Sequence, residues 1–262
     1  IQQKLYTGNE FAFKEVFDKK TFELNSLVVK EVVKILERKR IKYQGKQQFL
    51  GDFFERLLNT GIKQEAGQFF TPIPITSFIC KSLPIEQIIE NKNKNKEEKI
   101  LPYVIDYASG SGHFLTEIMG EINKYVEKLD EQTIKGGERA KRLFNSQRNF
   151  YLWAEEYVYG IEKDYRLAKT TKISTFLNGD GDANIIFGDG LDNFKNSSEY
   201  RGLLKISEDN IDNEQFDILV ANPPYSVSGF KATLKNGRES FSLFDRFSDK
   251  SSEIECLFIE RA

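Results

Sequence analysis

The chain has 262 residues, with 38 basic and 40 acidic side chains, a formal net charge of -2 and 39% hydrophobic content. That balance suits a buried core under a charged surface and excludes a chain that grips nucleic acid by bulk positive charge. Two cysteines, Cys80 and Cys256, are too few for a disulfide framework. No His or Cys spacing suggests a metal, and no apolar run is long enough to span a bilayer. The expectation is a cytoplasmic protein with no membrane partner. The opening residues, Ile1-Gln2-Gln3-Lys4, are neither an initiator methionine nor a signal peptide, and read as the start of a cut chain.

Residues 1–62 read as a helical region. Leu24, Val28, Val32 and Ile35/Leu36 recur at helical spacing, as do Leu50, Phe53/Phe54 and Leu57/Leu58, and Asn59-Thr60-Gly61 supplies a stop. The remainder, 63–262, reads as one α/β domain. In Gly67-Gln68-Phe69-Phe70-Thr71-Pro72-Ile73-Pro74, the prolines forbid a helix interior, and Thr71 is expected to cap a helix reaching Cys80. The paired aromatics suit either the wall of an adenosine pocket or a plain apolar anchor. Asn91–Lys99 is low-complexity and charged, and reads as a solvated surface loop.

Ile100–Ile105 is a strand candidate running into Asp106-Tyr107-Ala108-Ser109-Gly110-Ser111-Gly112-His113. A helix follows whose apolar face is Phe114, Leu115, Ile118, Ile122, Tyr125/Val126 and Leu129. Strand, glycine turn and helix start bring the backbone close to a ligand, with free N–H groups for an anionic group such as a carboxylate. The turn is not Gly-x-Gly-x-x-Gly and no Gly-Lys-Ser/Thr follows, so neither a dinucleotide nor a nucleoside triphosphate is favoured. His113, the sole histidine, reads as a packing or capping residue. Residues 130–150 read as a basic, helix-rich insertion.

Tyr157–Glu162 is the second strand, and an acid at its end suits both hydroxyls of a ribose. Gly112 to Glu162 is 50 positions, more than the usual spacing of about 20; the polar insertion accounts for the excess. Leu167, Ala168, Thr171 and Phe176 suit the following helix. Asn184–Gly190 gives a third strand, whose Asp189 suits the amine of an adenine or a simple turn. A polar loop covers 196–214. Phe216–Val220 then forms a fourth strand, expected to be buried on both faces, and ends at Asn222-Pro223-Pro224-Tyr225. Ser226–Ser252 is expected to be a flexible segment beside the pocket, with Glu253, Leu257 and Arg261 on a new helix.

Asn222-Pro223-Pro224-Tyr225 is stiff, because each proline fixes its own φ and extends the residue before it. It carries an amide at one end and a phenol ring at the other. An exocyclic nucleobase amine is a poor nucleophile, since its lone pair is delocalised into the ring. Two neutral acceptors, the Asn222 side-chain carbonyl and the Pro223 backbone carbonyl, can take both N–H groups and favour a pyramidal nitrogen. Tyr225 suits stacking on a base taken out of the duplex.

Jointly and in this order, Gly-Gln-Phe-Phe-Thr-Pro (67–72), Asp-Tyr-Ala-Ser-Gly-Ser-Gly-His-Phe-Leu (106–115), Tyr-Gly-Ile-Glu (159–162), Gly-Asp-Gly (188–190) and Asn-Pro-Pro-Tyr (222–225) resemble the γ arrangement of N6-adenine DNA methyltransferases. The resemblance runs from about Gly51 to the end and is closest to the modification subunit of type I restriction-modification systems. It implies a Rossmann-like class I methyltransferase sheet, C-terminally incomplete here, with S-adenosyl-L-methionine as donor. Phe69, Phe70, Thr71, Pro72, Asp106, Ala108, Gly110 and Gly112 would surround the donor's methionine part, Glu162 its ribose and Asp189 its adenine. Asn222, Pro223, Pro224 and Tyr225 would hold a flipped adenine of double-stranded DNA. Family members usually carry proline where Tyr107 stands, which makes the rim of the donor loop a point of difference. The resemblance further implies a specificity (target-recognition) subunit or domain, which the chain is expected to lack, and a restriction subunit. The alternatives are a methyltransferase of a planar amide such as protein glutamine, and a catalytically inert subunit of the same fold.

Overall fold

The computed structural model describes residues 26–37, 71–148, 151–178, 183–193, 200, 204 and 216–262. Two compact units divide the chain, 1–44 and 45–262. In the first, Ser26–Leu36 forms helix α1 over the periodic Val28, Val32, Ile35 run. The Leu50–Gly61 pattern, Phe69 and Phe70 lie outside the described residues.

In the second unit, helices α2 (Ile73–Ser82) and α3 (Ile85–Lys94) precede strand β1 (Val104–Asp106). Helix α4 (His113–Lys128) then leads, through a 3-10 turn and α5 (Gly137–Gln147), to the short α6 (Ala154–Tyr157). Strand β2 (Val158–Glu162), α7 (Tyr165–Asn178), β3 (Asn184–Phe187) and β4 (Ile218–Leu219) complete the sheet. Beyond β4 come α8 (Gly237–Ser240) and α9 (Glu255–Arg261). No helix among the described residues is long and apolar enough to cross a membrane.

All pairings in the four-stranded sheet are parallel, in the order β3-β2-β1-β4. Alternation along the strands sends side chains to two cores. Val104, Val158, Ile185 and Ile218 join Leu115, Ile118, Ile122 and Trp153 on one face. Ile105, Tyr159, Ile161 and Ile186 join Tyr107, Phe230, Leu257 and Phe258 on the other. Strand order changes direction at β1, whose neighbours β2 and β4 are reached by connections running opposite ways. Crevices of open parallel sheets form at the carboxyl ends of such strands.

Several expectations are corrected in detail. The cap of α2 is Pro72, whose carbonyl accepts the Ile75 and Thr76 amides, rather than Thr71. Asn91–Lys94 is the last turn of α3 rather than a solvated loop. Asn93 pins that turn by donating to the Thr133 carbonyl and accepting from the Lys135 amide, and Lys92 pairs with Asp217 at 3.1 Å. Leu219 is 38% exposed, so β4 is covered on only one face, and Phe176 points outward. The segment after β4 is packed: Phe230 and Phe241 are buried in the second core, because its aromatics have the sheet face to cover.

Candidate active site at the carboxyl edge of the sheet

One cleft of about 400 Å3 lies at this edge, within the size range of small-molecule sites, roughly 300–1,000 Å3. The tips of all four strands reach it, through Asp106, Glu162, Asp189 and Asn222. These residues are far apart in sequence. Parallel pairing brings them to one edge because each strand ends there.

The glycine loop after β1 is held from several sides. Ala108 donates its amide to Asp106 Oδ1 at 3.0 Å, and Ser109 donates to the Ile161 carbonyl at 2.9 Å. Gly110 and Gly112 have φ of +54° and +85°, which side chains with a Cβ rarely adopt. A Cβ on Gly112 would also stand 2.7 Å from Thr171 Cγ2. Thr171 donates its hydroxyl to the Gly110 carbonyl at 2.7 Å, fastening the loop to α7. Helix α4 starts at Gly112 without a side-chain cap, so its first turn faces the cleft with the partial positive charge of a helix start.

Glu162 is buried, and both oxygens are engaged: Gly110 donates to Oε2 at 2.8 Å and Asp164 to Oε1 at 2.7 Å. Burial pushes its carboxyl up to about 7, against the opposing pull of those amides. Asp106 is more extreme, pushed up to about 8 by burial, with the nearby Glu162 charge adding to the shift. A pair of buried acids held near neutrality favours a cationic guest, which would return both to their charged form. Ser109 Oγ is buried in the cleft wall with no hydrogen-bond partner among the described residues. Acids for a cation beside a helix start for an anion suit a small polar guest that carries both charges.

At the β3 end, Asp189 accepts the Leu191 amide on Oδ1 at 3.0 Å and the Lys163 ammonium on Oδ2 at 2.6 Å. Tyr200 donates to the Asp189 carbonyl at 2.5 Å. A Cβ on Gly190 would lie 2.1 Å from the Tyr107 carbonyl oxygen, so the β1 and β3 tips touch backbone to backbone.

After β4, Val220 donates to the Ile105 carbonyl, and the chain turns through trans peptides at Pro223 and Pro224. Asn222 and Pro224 line the cleft; Pro223, half-buried, and Tyr225, 38% exposed, are not part of its lining. Ser226 reverses the chain with φ +57° and donates its amide to Glu255 of α9 at 3.2 Å.

Of the residues expected at the site, Thr71, Asp106, Ala108, Gly110, Glu162, Asp189, Asn222 and Pro224 line the cleft. Pro72 and Gly112 do not line it; they are the caps of α2 and α4. His113 is the first residue of α4, packs its Nδ1 3.5 Å from the Thr71 carbonyl and reaches the cleft. Tyr107, the expected point of difference in the donor loop, lines the cleft; its ring is buried, and its hydroxyl donates to the Phe258 carbonyl at 3.0 Å. Sequence reasoning missed Lys163, Val227, Thr233, Ile254 and Phe258, all of which line the cleft. Lys163 follows Glu162 directly and was findable; the apolar residues carry no local signal.

The family model described as N-6 DNA methylase matches residues 45–259. The chain belongs to that family. The chain is also 23% identical, over 292 aligned residues covering 97% of it, to the type II restriction enzyme and methyltransferase RM.Eco57I of Escherichia coli. It spans 27% of that relative's length. The chain therefore matches a part of a much longer protein, and its strand-tip cleft falls inside the span of the family model.

Proposed function

We propose that the chain is the catalytic part of a site-specific DNA methyltransferase that modifies the N6 amine of adenine. The observation carrying this reading is that Asn222 and Pro224 open onto the same cleft as Asp106, Glu162 and Asp189. The β3-β2-β1-β4 order supports a Rossmann-like class I sheet, with the crevice at β1 as its ligand site. We assign residues 1–62 to a helical region and 63–262 to the catalytic domain.

S-adenosyl-L-methionine would supply a methyl group on a sulfonium, a leaving group that departs neutral. Asp106 and Glu162 would face its cationic and hydroxyl groups, the α4 start and the Thr71 side its carboxylate, and Asp189 its adenine amine. Phe69, Phe70 and Pro72 would complete the wall. For the target, an adenine flipped from double-stranded DNA would place its amine between the Asn222 and Pro223 carbonyls. Those acceptors draw the nitrogen lone pair out of the ring. A new N–C bond would form as the donor's S–C bond breaks and a neutral thioether departs, and one amine proton would then pass to solvent. Tyr225, exposed and next to Pro224 in the chain, would stack on the extruded base.

The Escherichia coli relative, a restriction enzyme and methyltransferase by name, supports a restriction-modification setting, which we place in the cytoplasm. Recognition of a DNA site would come from a specificity subunit or domain, with a restriction subunit as a further partner, as in the type I systems that the motifs resemble. The test is to express the full-length gene product with its encoded partners in a host lacking DNA methylation. Nucleosides from digested genomic DNA are then read by mass spectrometry, with Asn222→Ala as control. N6-methyladenine that vanishes in the variant is expected; methylation that survives Asn222→Ala would overturn the acceptor role.

A further inference from the structure

Helix α9 touches three of the strand-tip segments at once. Its Phe258 carbonyl accepts the buried Tyr107 hydroxyl at 3.0 Å, and the two rings pack at 5.3 Å. Its Glu255 accepts the Ser226 amide at 3.2 Å, immediately after Asn222–Tyr225. Its Arg261 donates to the Leu191 carbonyl at 3.1 Å, two residues past Asp189. Leu257, fully buried in the second core, anchors the helix between them. Ile254 and Phe258 meanwhile form part of the cleft wall beside Asn222.

The Asn222–Tyr225 loop leaves a strand that is covered on one face only, and two prolines stiffen it internally without fixing where it points. Pairing with β1 ends at the Val220 amide, two residues before Asn222, and α9 adds a contact beyond that point. The tie provided by α9 runs from Tyr107, one residue past Asp106, across to Ser226. A hydroxyl buried in an apolar core must find its partner, because an unsatisfied one is costly. The Tyr107–Phe258 bond therefore selects one seat for α9, and α9 in turn selects one seat for the loop.

We infer that Tyr107 is a positioning residue, and that it acts through α9 to hold the amine-accepting loop in register with the donor end of the cleft. This rests on the methyltransferase reading above. Tyr107 need touch neither donor nor base for this role. It stands on the loop that would hold the donor, yet its hydroxyl serves the loop that would hold the substrate.

The test uses the full-length methyltransferase with its recognition partner, unmethylated genomic DNA and labelled donor. Tyr107→Phe removes one hydroxyl and keeps the ring. Affinity for S-adenosylhomocysteine is expected to stay within about twofold, while the single-turnover transfer rate falls on the order of 10- to 100-fold, the scale for small misplacements of reacting groups. Glu255→Ala, a half-buried change at the other end of the tie, is expected to fall in the same direction. The double variant should lose less than the product of the two, since both cut one connection. A merely structural role would lower the melting temperature and reduce binding and rate together. Transfer at the wild-type rate in Tyr107→Phe, or equal loss of affinity and rate, overturns the inference. If Tyr107→Phe does not fold, an unchanged rate in Glu255→Ala overturns it alone. Asn222→Ala retaining full activity would instead sink the acceptor reading on which the inference stands, and so would a wild-type enzyme that transfers no methyl group.

Discussion

Gly110 donates its amide to Glu162 Oε2 at 2.8 Å, so the glycine loop after β1 and the acid ending β2 form one hydrogen-bonded unit. The second oxygen of Glu162 holds the Asp164 amide. Glu162 therefore shapes the loop even before any ligand arrives.

That double duty changes what a substitution at Glu162 should do. Glu162→Gln keeps the size but turns one acceptor into an NH2 group facing an amide N–H. Hydrogen bonds to a charged group contribute about 1.5–3 kcal/mol each, so donor affinity should weaken by roughly 10- to 100-fold. The melting temperature should drop as well, because the loop loses its anchor. Calorimetric titration with S-adenosylhomocysteine and a thermal melt would read both. Unchanged affinity would remove Glu162 from the ligand site.

The paired acids set a pH dependence. Asp106 and Glu162 lie at about 8 and about 7 in the folded chain, above their ordinary values of 3.8 and 4.5. Across that interval the folded state holds more protons than the unfolded state, so stability falls as pH rises and levels off above about 8. A cationic ligand acts oppositely: it favours the charged acids, so its affinity should rise through the same window, with proton release. Melting curves of wild type and Asp106→Asn across this range isolate the Asp106 contribution. A variant whose pH slope matches the wild type would contradict it.

How far the sequence could be read follows from where the information sat. The β1–α4–β2 unit was legible because periodicity, the glycine turn and Glu162 all lie within local segments. Asp189 and Asn222 were legible as residues that end strands. The partner of Tyr107 was not legible, since Phe258 is 151 positions away and nothing nearby in the chain announces it. The α3 end was misread for a related reason. Asn91–Lys94 has a loop-like composition, but the Asn93 contacts to Thr133 and Lys135 hold it helical. Leu219 looked like the middle of a buried strand because hydrophobicity alone does not say which strands have neighbours on both sides.

Gly190 offers a structural check on the meeting of β1 and β3. A Cβ there would lie 2.1 Å from the Tyr107 carbonyl oxygen and 3.1 Å from its carbon, both backbone atoms that no rotamer change can move. Gly190→Ala should destabilise by about 1–3 kcal/mol or more, the range for overpacked sites. Gly229→Ala is the matched comparison, with φ +69° but nothing within 4 Å of its Cβ. It should cost only the left-handed backbone term, about 1–2 kcal/mol. Denaturant melts that rank Gly229→Ala as the worse variant would mean the two tips are not in contact.

The Lys163–Asp189 pair bears on which ring the cleft prefers. Lys163 is 61% exposed, and an exposed ion pair contributes at most about 1 kcal/mol, so Lys163→Met should hardly move the melting temperature. Its effect on binding should be larger and selective. Adenine presents an amine donor to Asp189, whereas hypoxanthine presents an oxygen in the same place. With Lys163 present, its ammonium can turn to that oxygen and soften the repulsion. Without it, the oxygen meets an uncompensated carboxylate, and the amine meets an acceptor no longer shared. Preference for S-adenosylhomocysteine over its inosine counterpart should therefore grow roughly tenfold in Lys163→Met, equivalent to about 1.4 kcal/mol. Competitive titration of the two ligands measures it. A preference that stays the same or shrinks would place the adenine amine somewhere other than Asp189.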